Sequence, residues 1–201
     1  MATTLLIQTE AMPMTVSLPA IAPMTRDEFY TFCLANRDLR IERAATGDVE
    51  IMPPAFSDTG NRNFNLAVQL GSWAEKEVTG LGFDSSSGFT LPNGAMRSPD
   101  AAWIKTSRWE ALTEAEQASF APICPDFVIE LRSMGDRLSK LQAKMQEYID
   151  NGVVMGWLID RQSRTVHVYR PHQDPQILEN PDQVNGEPEL PGFSLPIAKI
   201  W

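Results

Sequence analysis

The chain has 201 residues, 43% of them hydrophobic and 21% charged, which suits one domain with a sizeable core and excludes wholesale disorder. Seventeen Lys and Arg against 26 Asp and Glu leave a formal charge of −9, so the chain lacks the basic balance of an obligate high-affinity nucleic-acid binder. The longest apolar run, Val153 to Ile159, falls far short of the roughly 20 residues that span a bilayer, so no membrane partner is expected. Two cysteines, Cys33 and Cys124, make neither a disulfide framework nor a zinc site and fit a reducing compartment. No cationic stretch precedes an apolar one near the start, and a cytoplasmic location is expected.

Residues 1–22 carry no sustained period and read as a loosely held arm ahead of a single domain over 23–201. Thr25 and Glu28 form a capping box, which starts a helix running to about Asn36 that buries Phe29, Phe32 and Cys33. Ile41–Arg43 and Val49–Met52 read as a hairpin about Thr46-Gly47-Asp48. From Asn61 to Val78 the set Phe64, Ala67, Val68, Gly71, Ala74 and Val78 predicts a helix buried along that stripe and stopped by Gly80.

Short strands follow at Leu81–Phe83, Phe89–Leu91 and Ser98–Ile104, the last two joined by an Asn93-Gly94 turn. Residues 105–124 read as an insertion with a short helix about Thr113–Ala118. Phe127–Leu131 is apolar apart from Glu130, as in a strand covered on both faces. A helix over about Asp136–Asp150 and strands at Val154–Ile159 and Thr165–Tyr169 complete an α/β pattern with a mixed central sheet. Residues 171–201 are proline-rich and read as an irregular cover.

Four residues are candidates for the chemistry. Glu130 sits in Phe-Val-Ile-Glu-Leu, where an ionised carboxylate is costly without a cation; it either pairs with Arg132 on the same strand face or binds a metal. Asp100 follows Pro99 at the head of another apolar strand, as a turn residue or as the second carboxylate of a hard-cation site. Lys144 lies on the shoulder of the helical stripe Leu138, Leu141, Met145, Tyr148 and Ile149, with Lys140 and Glu147 pointing further out. Its stem either snorkels to water or carries the ammonium to a strand end. Glu50 alternates with Val49 and Ile51, either on a solvent face or as a further carboxylate of the site. His167 reads as a strand-surface residue, and Asp126 as a turn aspartate after Pro125. No P-loop, dinucleotide glycine motif or nucleophile elbow is present.

Asp on one strand, Glu on the next core strand and a nearby Lys resemble the PD-(D/E)XK nuclease superfamily. The segments Ser98-Pro99-Asp100, Pro125-Asp126-Phe127-Val128-Ile129-Glu130-Leu131-Arg132-Ser133, Leu141-Gln142-Ala143-Lys144 through Tyr148, and Gly156-Trp157-Leu158-Ile159-Asp160 are similar to its Uma-type restriction-endonuclease family. Gly60-Asn61-Arg62-Asn63-Phe64 and Gly88 through Gly94 match the same pattern, so the resemblance covers about residues 23–170. It implies a restriction-endonuclease-like mixed central β-sheet flanked by helices. It further implies Asp100, Glu130 and the Leu131 carbonyl as ligands of Mg²⁺, with Mn²⁺ able to substitute, and Lys144 as the catalytic lysine moved onto a helix. Glu50 matches an upstream acidic position that would orient water or complete the metal shell.

The sequence departs from the superfamily pattern where Glu-x-Lys becomes Glu130-Leu131-Arg132. A guanidinium stays protonated and cannot act as a base, but it can bind substrate phosphate. The resemblance thus implies a Mg²⁺-dependent endonuclease acting on DNA as a homodimer. The acidic balance keeps two alternatives open: a non-enzymatic binding module on the same fold, and a metal-dependent hydrolase of a small phosphate ester.

Overall fold

The computed structural model describes residues 14–16, 24–37, 39–52 and 54–201. The arm expected over 1–22 lies outside the described residues except for β1 (Met14–Val16), whose backbone pairs antiparallel with β3 (Val49–Met52). Helix α1 (Arg26–Ala35) opens with the Thr25–Glu28 capping box and buries Phe29. Strand β2 (Arg40–Arg43) pairs with β3 as the predicted hairpin.

Helix α2 (Ser57–Glu77) is longer than its apolar period suggested, and it buries a different face: Leu66, Leu70, Trp73 and Ala74 meet the sheet, while Phe64, Val68 and Val78 are exposed. The helix is apolar on two sides, and the bulkier Leu-Leu-Trp side removes more surface from water when it packs. Gly80 does not stop it. Val78 does, in the left-handed conformation with its N–H on the Ala74 carbonyl. Gly80 instead begins β4 (Gly80–Asp84), where a Cβ would collide with the Trp103 ring.

Strands β5 (Phe89–Thr90), β6 (Met96–Arg97) and β7 (Ala101–Lys105) follow. The single strand expected over Ser98–Ile104 is broken, because Pro99 cannot donate to a ladder, and the chain changes sheets there. Helices α3 (Thr106–Trp109) and α4 (Glu114–Gln117) form the insertion, the second opened by a Thr113–Glu116 capping box. Strand β8 (Phe127–Leu131), helix α5 (Leu138–Asp150), and strands β9 (Met155–Asp160) and β10 (Thr165–Tyr169) complete the centre. The C-terminal part is more regular than expected: β11 (Gln176–Glu179) extends the sheet, and β12 (Gln183–Asn185) pairs with β13 (Ser194–Pro196).

The central sheet runs β11-β10-β9-β8-β7-β4, with β8 and β9 parallel and every other pair antiparallel. A second sheet runs β1-β3-β2-β6-β5. One face of the central sheet packs under α2 and the C-terminal segment, where Phe193 stacks on Trp157 at 5.4 Å. The other face packs under α5, which buries Met145, Tyr148 and Ile149. His167 is on that covered face and is buried, not on a strand surface, because β11 and α5 close over β10. Among the described residues no helix is long and apolar enough to cross a membrane.

Candidate active site

The break at Pro99 sets up the site. Arg132 donates its N–H to the Ile159 carbonyl at 2.9 Å, so its neighbour Leu131 turns both N–H and C=O the other way, towards β7. The Leu131 N–H meets Asp100 Oδ2 at 2.8 Å. Extending the register of Ala101 opposite Ile129 places Pro99 opposite Leu131, and a proline has no N–H to give the Leu131 carbonyl. Asp100 is thus locked to the end of β8, and Asn63 on α2 donates to its Oδ1 at 3.0 Å. Arg40 on β2 stands 3.6 Å from the same oxygen.

Glu130 and Asp100 are 4% and 7% exposed, at the floor of a groove of about 1640 Å³. Lys144 brings its ammonium to 2.8 Å from Glu130 Oε1, and the Tyr148 hydroxyl donates to that oxygen at 3.0 Å. Of the two open readings of Lys144, the ammonium therefore reaches the strand end instead of snorkelling to water. Arg132 does not pair with Glu130: its guanidinium is taken by Asp160 at 2.8 Å, and its Nε donates to the Asp136 carbonyl. That places the side chain away from the Asp100–Glu130 pair. Asp126 is buried, paired with Arg108 at 2.9 Å and accepting the Lys105 N–H, so it ties α3 to the sheet.

The upstream carboxylate brought to Lys144 is Glu42, not Glu50. Glu42 is 1% exposed; its Oε1 is 3.0 Å from Lys144 Nζ and accepts the Ser98 N–H at 3.0 Å, and its Oε2 is 3.3 Å from Arg97. Arg97 also meets Glu147 at 2.6 Å, so Glu147 faces inward. Glu50 lies across the hairpin from Glu42 and pairs instead with Lys140 at 2.8 Å. The sequence held a signal for Glu42: it sits between Ile41 and Arg43 on the partner strand. Only the docking of this hairpin against α5 distinguishes it from Glu50.

The electrostatics follow from burial. Glu130 is pushed up to about 7, first by burial and then by Asp100 and Glu42, against the pull of Lys144. Glu42 stays below the usual carboxylate range because Lys144, Arg97 and the Ser98 amide outweigh its burial. Burial alone would lower Lys144, but Glu130 and Glu42 hold it above its ordinary value and keep the ammonium charged. Four carboxylates (Glu42, Asp100, Glu130, Glu147) meet three cations (Arg40, Arg97, Lys144), one acidic side chain more than the cations beside them. That excess, with two acidic side chains and a backbone carbonyl converging, fits one hard cation. Among the described residues no three His, Cys, Asp or Glu side chains form a metal cage of their own.

The family described as "Uma2: Putative restriction endonuclease" matches residues 26–198. This chain belongs to that family. A solved structure described as a putative nuclease belonging to DUF820 from Anabaena variabilis ATCC 29413 is similar in fold, with a TM-score of 0.70 at 23% identity over 89% of this chain and 97% of that one. No curated protein matches. The Uma2 chain therefore shares the α/β architecture of that structure, a mixed central sheet flanked by helices.

Proposed function

We propose that this Uma2 protein is a Mg²⁺-dependent endonuclease that hydrolyses DNA phosphodiester bonds in the cytoplasm as a homodimer, one site for each strand, with Mn²⁺ able to replace Mg²⁺. The observation that carries the reading is the convergence of Asp100 and Glu130, buried side by side, with the Lys144 ammonium at 2.8 Å from Glu130. Asp100, Glu130 and the Leu131 carbonyl would hold the metal, which when bound supplies Lewis-acid polarisation of the phosphate and a more acidic water.

The chain's own groups do the rest. The Leu131 amide and Asn63 fix the Asp100 carboxylate, and the Tyr148 hydroxyl fixes Glu130. Lys144, gripped between Glu130 and Glu42, is the group that donates to the attacking water and offsets charge developing on the phosphate, a role that rewards preorganised cations in a low-dielectric site. With Arg132 bound to Asp160, Lys144 and not Arg132 is the cation we assign to phosphate.

Supercoiled-plasmid cleavage in Mg²⁺ and in Mn²⁺ tests this, beside Asp100→Ala and Lys144→Ala. Cutting that both variants lose supports the site. Cutting that both retain, or none by the parent chain, overturns it in favour of a binding module. The acidic balance of −9 carries a second reading, a hydrolase of a small phosphate ester, which the same proteins test on a chromogenic phosphodiester.

A further inference from the structure

Three cations stand beside the Asp100–Glu130 pair, and they are not equally occupied. Lys144 meets Glu130 and Glu42 at 2.8 and 3.0 Å, and Arg97 meets Glu147 and Glu42 at 2.6 and 3.3 Å. Arg40 stands 3.6 Å from Asp100, too far for a hydrogen bond. A guanidinium carries five N–H donors. Among the described residues, Arg40 places one of them, from Nη2 to the Ser98 carbonyl at 2.7 Å, and its Nε has no partner. Its side chain is also the most open of the three, 32% exposed against 9% for Arg97 and 13% for Lys144.

The fold puts this guanidinium where the chain changes sheets. Extending the register of Arg43 opposite Met96 places Arg40 opposite Pro99, and alternation puts Arg40 on the same strand face as Glu42. The side chain is thus anchored on the carbonyl before Pro99 and lines the groove together with Asp100 and Glu130. Asp100 does not need it for orientation. The Leu131 N–H holds one carboxylate oxygen at 2.8 Å and Asn63 holds the other at 3.0 Å, both closer than Arg40. A guanidinium tethered at one end, with donors to spare beside a pair of acidic side chains, suits a phosphate, whose oxygens match its planar fork.

Resting on the nuclease reading, we propose that Arg40 is a second phosphate-binding cation of the site, beside Lys144, and takes the place that the sequence pattern gave to Arg132. Two measurements on Arg40→Gln and Arg40→Lys test it. The first is fluorescence anisotropy of a labelled DNA duplex across a salt series, in EDTA to prevent turnover. Arg40→Gln should bind about 10-fold more weakly, and its plot of log affinity against log salt should be shallower by about 0.9, the share of one phosphate contact. Arg40→Lys keeps the charge and should keep the slope. The second is Mn²⁺ titration calorimetry without DNA, where Arg40→Gln should bind equally or more tightly, because a positive charge next to Asp100 has gone.

Weaker Mn²⁺ binding by Arg40→Gln would make Arg40 a prop for Asp100 and overturn the inference. So would DNA affinity and salt slope equal to those of the parent chain, and either result leaves the nuclease reading standing. No DNA binding by the parent chain overturns the inference as well, and it takes the nuclease reading with it when plasmid cleavage also fails.

Discussion

Two glutamates stand opposite each other on one hairpin, and the structure assigns them different consequences. Glu42→Ala removes a carboxylate, itself 1% exposed, that meets Lys144, Arg97 and the Ser98 amide at 3.0 to 3.3 Å. Breaking a buried ion pair from one side costs about 3–5 kcal/mol. Two effects return part of this: Lys144 keeps Glu130 and Arg97 keeps Glu147, and Glu130 loses a repelling neighbour. We therefore expect about 2–3 kcal/mol, the low end of that range or just below it.

Glu50→Ala breaks a pair whose lysine is half in water and should cost less than about 1 kcal/mol. In urea, at a slope of about 2 kcal/mol per molar, the two midpoints should fall by about 1–1.5 M and less than about 0.5 M. With Lys144 held on one side only, the cleavage kcat of Glu42→Ala should drop about 10- to 100-fold with KM little changed. Equal midpoints and equal kcat for the two variants would refute the assignment of Glu42 as the residue that positions Lys144.

Lys144→Met should abolish cleavage yet leave Mn²⁺ binding by titration calorimetry within a few-fold, because no metal-facing carboxylate is removed; loss of both would reject its role. Phe193→Ala uncovers Trp157 and Phe127 and should cost about 3–5 kcal/mol, lowering Tm by about 10 °C; a shift under about 3 °C would mean the C-terminal segment is not part of the core. Burial pushes the Cys33 and Cys124 thiols up to about 11 and about 12, so at pH 8 neither should react with a disulfide reagent within minutes, although both should in denaturant.

Burial also lowers His167 below its ordinary 6.5, against a smaller pull from Asp160. The unfolded chain then binds a proton more readily than the folded one, so stability is full above pH 6.5 and declines as pH falls below it. The His167→Gln variant should lack that slope below pH 6.5; identical profiles for the two proteins would show that His167 is not the titrating group.

Local chemistry was legible in the sequence. Thr25 with Glu28 started α1, continuous apolar runs located β8 and β9, and the 3.6-residue period located α5, because caps, runs and periods act between residues a few positions apart. The shoulder position of Lys144 was legible for the same reason. Which face is buried, and which charge meets which, was decided by packing. Phe64 and Leu66 are both apolar on α2, yet only Leu66 faces the sheet. Glu42 and Glu50 stand opposite each other on one hairpin, yet only the docking of β2 beside α5 gives Glu42 the lysine. Arg132 follows Glu130 by two residues but finds Asp160 across the parallel pair. A side chain's partner in a folded protein lies within a few ångströms in space and often many residues away in the chain, and Glu42, 102 residues before Lys144, became visible only when the two sheets and α5 had come together.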